Sequence, residues 1–410
     1  MRKGPYLLYT GDNTGMTILW QTDRSPEDCL CGIEWGSAKG QYEHGPEKVW
    51  ENDSYKEHHQ FKFHISGRSP GSVTYYRITC EGKSVQTFTG SFRTAPRDDA
   101  TSLTFYAYGD TRGTKRNPSR QNYVLEQLMK DMDKDPANRQ TLCIHSGDFA
   151  KWGMVETCWD ERDEDRRDNG YFIRKEPNMR FLASIPVMGC LGNHEGYGHG
   201  YIFDYDAYGK LFKKYWPYPF YPSGKMTSFY YSFNYGPVHF SVVDVNDRNG
   251  NYEKPGDKKE EGRNLTLAGL RPGTDQYKWL NGDISGSSKP WKIVVFHNPA
   301  WAASKGRERY QHIRDNLHPL FIEKGIKLVI QGHNHFYSRC VKDGITYLTL
   351  GGGGAGLYDP DAKGPTKEYP FVIKAKKAYH FARFKVSANQ IEVTVIDSSG
   401  NNVETFYINK

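Results

Sequence analysis

Gly192-Asn193-His194-Glu195 stands directly after the apolar run Ile185-Pro186-Val187-Met188-Gly189-Cys190-Leu191, and its reading decides that of the whole chain. An amide beside an imidazole at the end of a β-prone run makes a chemical site only if companions lie elsewhere. The sequence supplies them. SLTFYAY precedes Gly109-Asp110, TLCIH precedes Gly147-Asp148, KIVVF precedes His297, and KLVIQ precedes Gly332-His333-Asn334-His335. Runs of this kind, separated by helical segments, form strands of a buried sheet whose loops empty on one edge. Ligands of open α/β sheets bind beyond the carboxyl ends of the strands, so five separate strand ends can converge on one crevice. A lone Gly-Asp after a strand reads as a turn, whereas the ordered set of five reads as a site.

Carboxylate oxygen, amide oxygen and imidazole nitrogen together form a fairly hard donor set. Such a set suits zinc, manganese, iron or magnesium rather than copper(I) or a thiolate cluster. No cysteine belongs to it. The order GD, GD, GNHE, H, GHxH resembles that of the calcineurin-like metallophosphoesterases, and further segments are similar to purple acid phosphatases. These are Phe229-Tyr230-Tyr231-Ser232-Phe233 with Gly236, His239 and Phe240, then Gln276-Tyr277-Lys278-Trp279-Leu280, the stretch VVFHNPAW with His297 and Pro299, and GHNHFYSR. The resemblance implies an α+β/α/β chain whose residues 98–410 form a four-layer αββα metallophosphoesterase domain. It implies a cofactor of two divalent or trivalent metal ions, Fe, Zn or Mn, bridged by Asp148. Asp110 and His335 would complete one metal site; Asn193, His297 and His333 would complete the other. It also implies that His194 faces the substrate and protonates the leaving oxygen or steadies the phosphate, acid catalysis being worth on the order of 10²–10⁴ in rate. Glu195 would orient the His194 imidazole, as carboxylates near metal sites commonly do.

The first hundred residues carry short alternating runs, GMTILWQT, CGIEWG, HHQFKFHISG, TYYRITCEG and FTGSFRTAP, with turn residues between them and no helical period. This pattern reads as an antiparallel sandwich. Its opening, YLLYTGDNTGMTILWQT, is similar to the fibronectin-III-like domain that purple acid phosphatases often carry at this point. The expected division is therefore 1–97 and 98–410, at the polar break Pro96-Arg97-Asp98-Asp99, with no chemistry in the sandwich. At the other end AYHFARFKV and IEVTVIDSSGN read as a hairpin.

Two positions depart from the family pattern. A purple acid phosphatase places a tyrosine three residues after its bridging aspartate, where this chain has Lys151. Other metallophosphoesterases place a histidine two residues after the first aspartate, where this chain has Arg112. One metal site thus lacks its fourth protein ligand. A cation beside a divalent metal is unfavourable unless it turns outward or meets an anion. Arg112, with Lys151, is expected either to grip the substrate phosphate, a role the guanidinium fork fits, or to make a surface ion pair.

Composition sets the remaining bounds. At 410 residues and 37% hydrophobic, the chain can build two cored domains. Aromatic residues at 14%, 29 of them Tyr, suit a β-rich protein. The net charge of +7 can steer anionic phosphoesters, but both signs interleave, as in DKKEEGR, and no nucleic-acid groove is indicated. The expected partner is a small phosphoester, a phosphomonoester first. A phosphodiesterase acting on nucleotides or phospholipid headgroups, or an inactive phosphate-binding protein, is the alternative. No apolar run approaches the roughly 20 residues that span a bilayer, and MRKGPYLLYT lacks a secretory core; the resemblance implies secretion or the periplasm. Seven cysteines without metal spacing read as buried thiols with room for one or two disulfides, pairing open. Gly351 to Gly356 lacks the lysine of a phosphate-binding loop and reads as a flexible turn near the crevice. His199 could reach substrate, while His44, His58, His59, His64 and His145 read as packing or surface residues. The charged stretch from Glu156 to Arg174 reads as a solvated helical face, or else a substrate lid.

Overall fold

The computed structural model describes residues 2–23, 30–55, 58–82, 84–114, 117–135, 142–160, 170–198, 207–222, 229–246, 268–304 and 311–410. The alternating runs of the first stretch become β1 (Lys3–Leu8), β2 (Met16–Thr22), β3 (Leu30–Gly36), β4 (His44–Val49), β5 (Glu51–Tyr55), β6 (His58–Ile65), β7 (Val73–Glu81) and β8 (Gln86–Arg93). They pair antiparallel in two four-stranded sheets, β1-β2-β6-β5 and β4-β3-β7-β8. One face of each sheet is apolar. Ile18, Trp20 and Phe61 from the first meet Ile33, Tyr76 and Ile78 from the second in a shared core. Cys31 and Cys80 stand opposite each other in the β3–β7 register and form a disulfide, while Cys143, Cys158, Cys190 and Cys340 are buried. Cys29 lies outside the described residues.

The chain continues through β9 (Leu103–Tyr108), α1 (Gln121–Asp133), β10 (Cys143–His145), α2 (Asn178–Leu182), β11 (Val187–Gly189), α3 (Lys210–Tyr215), β12 (Tyr231–Tyr235), β13 (Val238–Val242) and α4 (Asp275–Gly286). It ends with β14 (Trp291–Val295), α5 (Gln311–Glu323), β15 (Leu328–Gln331), β16 (Tyr337–Lys342), β17 (Ile345–Leu350), β18 (Val372–Lys376), β19 (His380–Val386), β20 (Gln390–Asp397) and β21 (Asn402–Asn409). Helices form where apolar residues recur on one face: α1 buries Val124, Leu125, Leu128, Met129 and Met132. In α4 the Thr274 hydroxyl accepts from the Tyr277 N–H at the first turn.

The strands that precede the five motifs are divided between two mixed sheets, ordered β11-β10-β9-β19-β20-β21 and β12-β13-β14-β15-β17-β16-β18. β9, β10 and β11 run parallel in the first; β13, β14, β15 and β17 run parallel in the second. The expected C-terminal hairpin is β19–β20, antiparallel from His380↔Asp397 to Val386↔Ile391. The sheets share one core, with Phe105 of β9 stacked on Phe384 at 4.4 Å and edge-on to Phe240 of β13 at 5.3 Å. Tyr6, Leu8, Tyr9 and Leu19 of the N-terminal strands belong to that same core. The Tyr6 and Tyr76 hydroxyls donate to the carbonyls of Tyr215 and Ala183, so the N-terminal sheets are bonded to the main body.

At its described start, the charged stretch from Glu156 to Arg174 differs from the expected solvated helix. Glu156–Trp159 forms a single 3₁₀ turn, and Glu156 is buried against Lys3 at 2.9 Å. A cationic partner from β1 draws this carboxylate inward; residues 161–169 lie outside the described part.

Candidate metal centre

Each motif begins where a parallel strand stops, and the backbone turns sharply there. Asp110, Asp148 and His333 have φ of 57°, 59° and 69°, a region that residues other than glycine enter at a cost of order 1–3 kcal/mol each. Gly147 makes the second turn possible. Its φ is 93°, and a Cβ there would stand 2.6 Å from His297 Nδ1. Strain and close approach thus coincide where five strand ends from two sheets meet.

The side chains gather in two overlapping groups. Asp148, His297 and His333 form one, and Asp110, Asp148 and His335 the other, with the donor atoms of each group lying within 4.8 Å of one another. Asp148 belongs to both. Its Oδ1 lies 3.2 Å from His297 Nε2, and its Oδ2 accepts from Arg112 Nε at 3.1 Å. Asn193 Oδ1 lies 2.9 Å from His333 Nδ1, which is also 3.3 Å from His297 Nε2. Backbone carbonyls set the ring orientations, since His297 Nδ1 meets Ser146 O at 2.6 Å and His335 Nδ1 meets Gly356 O at 2.8 Å. Each contact fixes the N–H on Nδ1 and turns Nε2 toward the carboxylates.

The donor set fits cations. Asp110 is fully buried; its Oδ2 accepts the His333 backbone N–H at 2.9 Å, while its Oδ1 has no hydrogen-bond partner. A buried carboxylate oxygen in that state requires a positive partner. Burial and the charge of Asp148 push the Asp110 carboxyl up to about 8. At Asp148 burial acts the same way, but His297, His194 and Arg112 outweigh it and hold the carboxyl well below its usual range. At His297 the two carboxylates overcome burial and raise the imidazolium to about 9. Protons and a guanidinium supply the positive charge in this arrangement.

His194 stands at the rim of the pair. Its backbone N–H donates to Asp148 Oδ1 at 3.0 Å, its Nδ1 meets the Lys151 carbonyl at 2.5 Å, and its Nε2 is 3.8 Å from Asp148 Oδ2. Burial, then Arg112, lowers this imidazole to about 3, so at neutral pH it is uncharged, with Nδ1 the donor.

Four expectations change here. Glu195 does not orient the His194 ring. Its carboxylate accepts the backbone N–H groups of Asp148, Phe149, Ala150 and Gly192, tying the Gly147-Asp148 and Gly192-Asn193 turns together. Lys151 does not face the centre, since its ammonium lies 3.8 Å over the Trp152 ring and only its carbonyl serves His194. Arg112 is no surface pair: its side chain is 13% exposed, and its NH2 group lies 3.3 Å from His335 Nε2. The glycine run is buried rather than loose. Gly353 N–H donates to Gly109 O and Ala355 N–H to Asp110 O, and a Cβ on Gly351 would lie 2.1 Å from Asn334 O.

His145 packs as expected, stacked on Phe149 at 3.7 Å, and its Nδ1 also accepts the Gly147 N–H. His199 lies outside the described residues. Sequence reading missed Ser146, Gly356 and the Lys151 carbonyl, which act through the backbone and leave no side-chain signal. It also missed Tyr358, whose hydroxyl donates to His333 O and whose ring lies 4.9 Å from His335.

A family model described as calcineurin-like phosphoesterase matches residues 103–337. Probable purple acid phosphatase 20 of Arabidopsis thaliana is 26% identical over 365 residues, covering 83% of this chain and 71% of its own. Purple acid phosphatase 18 of the same plant is 24% identical over 356 residues, covering 83% and 68%. Among solved structures, the purple acid phosphatase from yellow lupin seeds (Lupinus luteus) superposes with a TM-score of 0.71 at 17% identity, over 99% of this chain and 74% of that one.

Proposed function

We propose, from the premise that this chain belongs to the calcineurin-like phosphoesterase family and is a metal-dependent phosphoester hydrolase, that it cleaves phosphomonoesters at a dinuclear centre. One observation carries the reading: Asp148 is common to both donor groups. Asn193, Asp148, His297 and His333 hold one cation, and Asp110, Asp148 and His335 the other. Two bound cations supply polarisation of a phosphoryl oxygen, a more acidic attacking water, and compensation of developing charge.

The rest is the work of the chain. Arg112 has N–H groups beyond those spent on Asp148 and His335, and these take the substrate phosphate. His194, with Nδ1–H committed to Lys151 O, presents the lone pair of Nε2; the negative charge of the bound phosphoester favours protonation there, and the imidazolium so formed delivers that Nε2 proton to the leaving oxygen. Glu195 and the buried glycine run keep the ligand turns from moving, so the groups meet substrate already oriented.

The same reading places a four-layer αββα catalytic domain at 98–410 and a fibronectin-III-like sandwich at 1–97, a division supported by the separate core of the N-terminal sheets. The Cys31–Cys80 disulfide favours an oxidising compartment, secreted or periplasmic. No helix among the described residues is long and apolar enough to cross a membrane. The test is hydrolysis of matched alkyl phosphate monoesters and diesters by protein loaded with zinc, manganese or iron. Metal-dependent turnover of the monoester in preference to the diester is expected. Preference for the diester, or turnover indifferent to chelator, contradicts the proposal.

A further inference from the structure

Lys3 is the second residue of the described chain, yet its side chain is wholly buried. Its ammonium is 2.7 Å from Gln21 Oε1, 2.9 Å from Glu156 Oε1 and 2.7 Å from Asp160 Oδ1, over the face of Tyr215. Arg2 adds a second cation against Asp160 and Glu156 and reaches the exposed Asp23, so two positive and two negative groups lie together, Lys3 wholly buried and the others largely so. Burying four charges to hold a strand end is poor economy, because well-packed apolar residues stabilise as much. What the cluster gives is a fixed position.

The segment it fixes leads to the centre. The Glu156–Trp159 turn lies against β1 through Lys3, and the Trp159 indole N–H donates to Gly153 O at 2.8 Å. Gly153 N–H donates to His194 O at 2.9 Å, Met154 N–H donates to Tyr197 O at 3.2 Å, and Lys151 O meets His194 Nδ1. A Cβ on Gly153 would lie 2.4 Å from Glu195 Cα, so this loop and the Gly192–Glu195 turn are in direct backbone contact. Residues 151–160 are thus held at one end by the N-terminal sheet and hold His194 at the other.

We propose that Lys3 is a positioning residue for His194, acting through Glu156, Asp160 and the 151–160 loop, so that the N-terminal sheet takes part in the proton delivery. This rests on the reading of His194 given above. Lys3→Met alone strands a buried carboxylate and invites unfolding, so the informative variant is Lys3→Met/Glu156→Gln, which removes one charge of each sign. It is compared, as full-length metal-loaded protein, with His194→Ala and with the triple variant, on an alkyl phosphate and on an aryl phosphate with an activated leaving group. In parallel, the proton signal of the His194 Nδ1–H, assigned by its absence in His194→Ala, reports the contact with Lys151 O directly.

The expected result is unchanged metal content, a roughly 10- to 100-fold fall in kcat on the alkyl ester, the scale of an ångström's misplacement, little change on the activated ester, and a shifted signal. The triple variant should be no worse than His194→Ala. An unmoved signal, or equal losses on both esters with additivity in the triple variant, overturns the proposal. If His194→Ala itself loses equally on both esters, its role as acid fails, and the proton signal alone decides whether Lys3 places the ring.

Discussion

The two halves of the centre share Asp148 but are finished differently. On one side His297, His333 and Asn193 Oδ1 crowd together at 2.9–3.3 Å, each aimed at the others. On the other, Asp110 and His335 share their space with Arg112, whose guanidinium touches both Asp148 Oδ2 and His335 Nε2. The first half has four protein donors and the second three plus a resident positive charge. Arg112 therefore makes the two halves of the site unequal. Cation affinity and substrate affinity compete for the same few ångströms.

The largest effect should come from the residue the halves have in common. Asp148→Ala is expected to lose both equivalents of metal and all hydrolysis while melting cooperatively; metal analysis that still finds one tightly held ion would show that a half survives without the shared carboxylate. Next, Arg112→Met should tighten metal at the Asp110 half. A unit charge about 4 Å away costs roughly 1 kcal/mol or more, which is about fivefold in affinity. The same variant should raise KM for phosphoester. Titration showing weaker metal would mean that the guanidinium organises that half instead of opposing it.

Acidity sharpens the comparison further. Asp110 stands at about 8 and His297 at about 9, so without metal each half holds a proton at neutral pH, and cations must displace it. Both groups are raised, so the competing proton is fully present below pH 7 and is lost as pH climbs through 8 and 9. Metal affinity should then rise by roughly tenfold per pH unit for each proton displaced below about pH 8, and level off above about pH 9. Calorimetry in buffers of different ionisation enthalpy should find proton release in both binding steps; heats indifferent to buffer would contradict it. The smallest effect is optical. Lys151 stands where the family's coloured members carry a phenolate, and its ammonium lies over Trp152, so iron-loaded protein should show no purple charge-transfer band. Such a band would reveal a tyrosine in the metal shell.

Much of the fold was legible because apolar runs of five to seven residues ending in Gly-Asp, Gly-Asn-His or Gly-His leave little freedom about where strands stop. The strand ends at Tyr108, His145, Gly189, Val295 and Gln331 place all five motifs as their order implies. What sequence could not carry was anything decided by backbone groups or by charge placement across the chain. The partners of Glu195 are four N–H groups with no residue signature. The glycine run looked loose because glycine is permissive; it is tight because only glycine lets the chain pass Asn334 and His380. Glu156 looked solvated within a charged stretch because its partner, Lys3, is 153 residues away. The Cys31–Cys80 pairing depended on a register that composition does not fix.

The central claim, two unequal cation sites joined by one carboxylate, is tested most directly by titrating fully loaded protein with a chelator while following metal release and hydrolysis together. Two equivalents per chain should leave in two separated steps, the first from the Asp110 half, with activity lost in that first step. Release of both ions in a single step, or one equivalent sufficing for full activity, would contradict it.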